Sequence, residues 1–270
     1  MIDFKEITKR TSLYNFHSHT QFCDGRDEME AFVKEAIRLG FSDIGFSPHS
    51  PIPFFSPCNM KKEDVPSYMQ EIQRLKMLYA DKIKIYTSME IDYLDDWGPA
   101  NTFFKEIPLD YKIGSIHFIR SFVNSDEFID IDGAFDNFNK KMSCYFNGDI
   151  KSVVDSFYNQ TLNMIEAGGF DIIGHFDKIS FNASEYQEGI ENEKWYKTWI
   201  NRVVEAIMDN GYMIEINTKA FKDYNRFFPN QRYFSMLKKY NAPIVINSDV
   251  HFPNLINSGR FEAMNLLNNY

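Results

Sequence analysis

The chain has 270 residues, 44% of them hydrophobic, with a net charge of −9 and a pI of about 5.2. That length and apolar content can bury a large core, and the negative balance excludes a global attraction to nucleic-acid phosphates. No apolar run approaches the ~20 residues of a membrane helix, the start "MIDFKEITKR" has no apolar signal core, and three cysteines without a CxxC pair point to a reducing cytoplasm rather than a disulfide framework.

Short apolar, β-branched or aromatic runs alternate with longer stretches of helical period. In chain order, strands are expected at 13–17, 43–47, 83–90, 111–117, 170–174, 212–217 and 243–247. After Asp27, the residues Met29, Phe32, Val33, Ala36 and Ile37 fall on one face of a helix that Gly40 stops. Asp27 with Glu30 has the spacing of a capping box. Pro66 suits the first turn of a helix carrying Ile72, Leu75 and Tyr79. Further helices are expected near 151–167, 194–209, 231–239 and 259–268. Residues 120–150 are the least regular part and are expected to form a long loop with one short helix. No linker or low-complexity segment divides the chain, so residues 1–270 are expected to form one domain. Strands alternating with helices imply right-handed crossovers and a parallel sheet. Without a glycine fingerprint for dinucleotides, a closed barrel is the preferred form.

All six histidines (17, 19, 49, 117, 175 and 251) fall at or just past the C-terminal end of an expected strand. In a parallel barrel those ends open onto one face, where such enzymes build their sites. Residues i and i+2 of a strand point the same way. His17 with His19, in "LYNFHSHT", and Asp249 with His251, in "NSDVH", can therefore each aim two ligands at one point. Strands one and seven are neighbours across the barrel closure, so the two pairs meet. Glu90 and Asp24 join them. His17, His19, Asp24, His49, Glu90, His117, His175, Asp249 and His251 exceed the roughly four ligands that one zinc takes, and with one carboxylate bridging they suit two or three ions. Imidazole and carboxylate without thiolate suit zinc, iron or manganese.

The motifs "HSH" (17–19), "SPHS" (47–50), "MEID" (89–92), "GSIHF" (114–118), "GHFDK" (174–178) and "NSDVH" (247–251) resemble those of the polymerase and histidinol phosphatase (PHP) superfamily. "HSHTQFCDG" is most similar to the opening motif of its histidinol-phosphate phosphatase branch. The resemblance implies an α/β fold, a distorted TIM-like (β/α)7 barrel, holding three metals. His17, His19, Glu90 and Asp249 would hold the first metal, Asp24, His49 and His251 the second, and Glu90, His117 and His175 the third. It implies hydrolysis of L-histidinol phosphate, a step of histidine biosynthesis, by a metal-bridging hydroxide. Asp249 or His251 would donate the proton to the leaving oxygen. Arg120, Lys178 and Arg226 are candidates for the phosphate, Asn217 for the substrate, and Asp177 or Glu215 for a substrate amine. Cys23 is read as packing.

Other readings are a tyrosine phosphatase or another small-molecule phosphoesterase of the same superfamily. A nuclease is disfavoured by the acidic charge. An amidohydrolase is disfavoured by His117 on a middle strand and by His251 after Asp249. A non-catalytic metal-binding scaffold is disfavoured by the complete ligand set. The expected partner is a small-molecule phosphate ester, with neither nucleic acid nor membrane.

Overall fold

The structure, a computed structural model, describes residues 2–269. Strands β1 (Tyr14–Asn15), β2 (Asp43–Phe46) and β3 (Lys84–Thr87) pair in parallel in one sheet. β4 (Glu90–Asp92) and β5 (Ile113–Ser115) begin a second sheet. β6 (Phe118–Arg120) and β7 (Phe128–Asp130) then form a separate antiparallel hairpin. β8 (Ile172–Ile173), β9 (Met213–Asn217) and β10 (Ile244–Asn247) complete the second sheet in the parallel order β10-β9-β8-β5-β4.

Two isolated bridges, Ser18 with Val250 and His49 with Glu90, join the sheets into a ring. At the first, His19 N donates to Val250 O (2.8 Å) and Val250 N to His17 O (3.2 Å). At the second, Ser50 N donates to Glu90 O (2.8 Å) and Glu90 N to Pro48 O (3.1 Å). The expected α/β arrangement of parallel strands forms, with one alteration. The run 83–90 is two strands, because the chain leaves the first sheet after Thr87 and enters the second at Glu90. The buried Tyr68 hydroxyl lies 2.6 Å from the Ser88 carbonyl and satisfies it at this change of sheet.

The helices cover the strands as their apolar spacing requires. Met29, Phe32, Val33 and Ala36 are buried on helix Met29–Arg38. The capping box does not form: the Asp27 carboxylate accepts from Glu28 N and the Gln21 side chain from Met29 N, while Glu30 is drawn away to Arg74 and Tyr79. Gly40, at φ +80°, ends the turn in a conformation that favours glycine. Pro66 sits in the first turn of helix Val65–Leu78. Helices Ile150–Ala167, Lys194–Asp209 and Arg260–Asn268 lie close to their expected places. The region 120–150 is more regular than expected, with the hairpin and an eleven-residue helix, Phe135–Tyr145, anchored by buried Phe138 and Met142. Helix Phe4–Arg10 buries Phe4 and Ile7 in an aromatic cluster with Phe16, Tyr86 and Tyr111. Among the described residues, no helix is long and apolar enough to cross a membrane.

Candidate metal centre

The backbone bonds that close the barrel also fix the ligands. Because Val250 is bonded to both His17 and His19, the two histidines and their counterparts Asp249 and His251 are locked in register across β1 and β10. Asp249 has φ +46°, an uncommon left-handed conformation outside glycine that this register holds in place. Asp24 reaches the cluster because the loop 20–25 folds back on itself. At Gly25 any Cβ would strike the Thr20 backbone, so only glycine allows that approach.

Glu90 is fully buried at the centre. Its Oε2 lies 3.0 Å from His49 Nδ1, 3.2 Å from His17 Nε2 and 3.5 Å from His19 Nε2. Its Oε1 lies 2.9 Å from His175 Nε2 and 3.6 Å from His117 Nε2. The ligand atoms group as His17, His19 and Glu90; as His19, Asp24, His49 and His251; and as Glu90, His117 and His175. Asp249 groups with His17 and His175, and its Oδ1 also lies 3.1 Å from His19 Nε2.

Both Glu90 oxygens, His17 Nε2, His19 Nε2, His49 Nδ1, His175 Nε2 and Asp24 Oδ1 are buried without a hydrogen-bond partner. Buried polar atoms are normally satisfied. So many orphans on one shared focus fit a group that takes lone pairs from nitrogen and oxygen, as divalent cations do.

Electrostatics agree with this. Burial alone would push the Glu90 carboxyl up, but His17, His117 and His49 reverse that and hold it well below the usual range. Burial likewise opposes ionisation of Asp249, yet Lys219 and His17 hold it well below. The His117 imidazole, despite burial, is raised to about 9 by Glu90 and Asp92. The carboxylates thus raise the His17, His49 and His117 imidazoles, while burial and neighbouring cations lower those of His19 and His175.

Several supporting residues escaped the sequence reading. Asp92 Oδ1 lies 2.6 Å from His117 Nδ1. Glu215, read as a contact for a substrate amine, instead puts Oε1 2.7 Å from His17 Nδ1 and accepts from His175 N through Oε2. Both carboxylates fix a ring nitrogen and leave the opposite one for a metal. Asn217, also read as a substrate contact, donates to Glu215 and Asp249 at 3.1 Å. The Cys23 thiol, its pKa pushed up to about 12 by burial and by Asp24, lies 3.4 Å from His19 Nδ1. Asp92 was detectable: it stands two residues after Glu90 on one strand, so the two face the same way.

Residues 15–219 match the family model described as PHP domain. The chain belongs to this family. It is 28% identical over 255 residues to a protein of Schizosaccharomyces pombe named "Probable histidinol-phosphatase", covering 89% of this chain and 81% of that one. It is 26% identical over 260 residues to the histidinol-phosphatase of Bacillus subtilis, covering 87% and 92%. The crystal structure of histidinol phosphate phosphatase from Lactococcus lactis, complexed with zinc, L-histidinol and phosphate, superposes with a TM-score of 0.71 at 23% identity, covering 95% of this chain and 92% of that one. At that identity the likeness concerns the fold.

Beside this cluster of the PHP domain lies a cavity of about 530 Å³. Asp24, His49, Asp92 and His117 line it with Lys178 and Lys219. Lys178 pairs with Asp132 at 3.2 Å. Lys219, absent from the expected set, puts Nζ 3.3 Å from both Asp249 Oδ1 and His251 Nε2. Arg120 is not among the lining residues. It is half exposed, bonded to Asp95 (2.8 Å) and to the Ser125 carbonyl (2.6 Å). Arg226 and Asp177 are also outside the cavity: Arg226 bonds Ser180 and Glu191, and Asp177, pushed up to about 7 by burial, accepts from Asn230 N.

Proposed function

We propose that this PHP protein is a metal-dependent phosphatase that hydrolyses L-histidinol phosphate to L-histidinol and phosphate. The observation that carries the reading is Glu90, whose two unpartnered oxygens each face a different set of histidines beside a cavity with two lysines. The curated relatives named as histidinol-phosphatases support the substrate. His17, His19, Asp24, His49, Glu90, His117, His175, Asp249 and His251 are assigned as ligands of zinc, iron or manganese, and zinc is what the Lactococcus lactis structure contains.

Ions held there supply positive charge for the phosphoryl oxygens and acidify the attacking water. The chain's own residues do the rest. Glu215 and Asp92 hold the His17 and His117 rings in one tautomer through Nδ1. Lys178 and Lys219 place fixed charge on the cavity wall for phosphate oxygens not otherwise neutralised. Asp249 and His251 are assigned the proton delivered to the leaving oxygen; Asp249 Oδ1 and His251 Nε2 share the Lys219 ammonium, which puts a proton beside either. Asn217 holds Asp249 and is assigned to that role rather than to the substrate. The net charge of −9 and the cavity size favour a small phosphate ester over nucleic acid, and three free cysteines favour a cytoplasmic location.

The test is phosphate release by metal-reconstituted protein from histidinol phosphate, p-nitrophenyl phosphate and a phosphotyrosine peptide. A strong preference for histidinol phosphate is expected. Equal or weaker turnover of it would move the substrate elsewhere, first to phosphotyrosine.

A further inference from the structure

The β6–β7 hairpin lies in the segment that sequence left irregular, and its register is informative. Phe118 is directly opposite Asp130, and Arg120 directly opposite Phe128. Opposed residues of an antiparallel pair share a face, as do residues two apart on one strand. Phe118, Arg120, Phe128 and Asp130 are therefore on one face of the hairpin. Three of them, Phe118, Phe128 and Asp130, line the cavity that also holds His49, His117, Lys178 and Lys219.

Phe54, from the segment after β2, completes an aromatic wall. Its ring is nearly parallel to Phe128 (13°, centroids 5.9 Å apart) and edge-on to Phe118 (5.3 Å). The Arg120 guanidinium is 4.5 Å from the Phe128 ring centroid and is tied to Asp95 and Ser125, which restrains the hairpin. Asp130 accepts from Asp132 N and from Lys141 Nζ. A carboxylate can accept further bonds.

The metal ligands and lysines are the part of the cavity suited to a phosphoryl group. They leave the aromatic and carboxylate part without a role in the chemistry. We propose that Phe54, Phe118, Phe128 and Asp130 form the leaving-group subsite, selecting phosphate monoesters of amino alcohols that carry a flat ring. The ring packs on Phe54 and Phe128, and a cationic nitrogen of the same group meets Asp130. This rests on the phosphatase reading above and adds to it the residues that choose the alcohol.

The experiment compares wild type, F128A, F128Y and D130N on histidinol phosphate and on glycerol phosphate, which has the same alkyl ester but neither ring nor cation. Metal content and thermal midpoint are read for each variant to confirm folding. The expected result is a fall of about tenfold in the ratio of the two kcat/KM values for F128A, mostly through KM for histidinol phosphate. F128Y keeps the ratio, and D130N lowers it. Free L-histidinol should inhibit F128A less strongly than wild type. If F128A and D130N, folded and metal-loaded, keep the wild-type ratio, the subsite is wrong while the phosphatase reading stands. If wild type itself does not hydrolyse histidinol phosphate, the histidinol-phosphate reading above fails, and the subsite with it.

Discussion

Glu215 and His17 meet through Oε1 and Nδ1 at 2.7 Å, both fully buried, and the other Glu215 oxygen accepts the backbone N–H of His175. One carboxylate thus orients the His17 ring just after β1 and anchors the segment after β8 that carries His175. Glu215→Gln keeps the size but replaces a charged acceptor with an amide. We expect metal affinity to fall about 10- to 100-fold, the usual cost of losing such an outer partner. Titrating apo protein with zinc against a competing chelator measures it. Unchanged affinity would show that His17 needs no orienting partner.

Glu90 has a different position, since its two oxygens face the Nε2 atoms of His17 and His175. Glu90→Ala should remove bound metal and phosphatase activity together, and extended dialysis of wild type against a chelator should do the same reversibly. Metal analysis alongside phosphate release reads both. Near-normal activity of Glu90→Ala would defeat the bridging scheme.

The meeting of these side chains was legible in the sequence because a strand makes spacing into direction. Two residues apart on one strand means one face, so "HSH" and "SDVH" could each be read as a pair before their 232-residue separation, from His19 to His251, was bridged. The break at Ser88 was not legible, because the run 83–90 reads as one β-prone stretch and a change of sheet leaves no mark on the residue pattern. The hairpin was missed because its strands have three residues each, too few to establish a period. Arg120 was misplaced for a related reason. It follows His117 by three residues, but the chain enters the hairpin there, and Asp95 provides a counter-ion that no sequence spacing reveals.

Lys219 could not be found by pattern either, since it lies past the end of β9 in a segment with no strand alternation. Its ammonium is 3.3 Å from Asp249 and from His251 and lines the cavity with Lys178. Lys219→Met should lower kcat/KM about 10- to 100-fold, the range for one charge-assisted bond of 1.5–3 kcal/mol. Inhibition by inorganic phosphate should weaken in parallel, and Lys219→Arg should recover part of both. Full inhibition by phosphate in Lys219→Met would assign the lysine to the ligands rather than to the phosphate.

Glu30 clamps two helices at a distance from the centre and gives a pH dependence free of it. Its carboxylate accepts from Lys34 Nζ (2.8 Å) and from the Tyr79 hydroxyl (2.9 Å), and from Arg74 on helix Val65–Leu78. These hydrogen bonds, Lys34 first, then Arg74 and Tyr79, lower its pKa from 4.5 to about 2. A carboxyl with a depressed folded pKa stabilises the fold above its unfolded pKa. That contribution is lost as pH falls through the folded value. Comparing urea unfolding of wild type and Glu30→Gln at each pH cancels the other acid-sensitive groups the two share. At pH 7 the gap should be no more than about 1 kcal/mol, since the pair is partly exposed to solvent. It should narrow below about pH 4.5 and vanish near pH 2. It should also shrink in 1 M salt, where the screening length is about 3 Å. A gap that holds steady from pH 7 to pH 2 would assign the loss to packing rather than to charge.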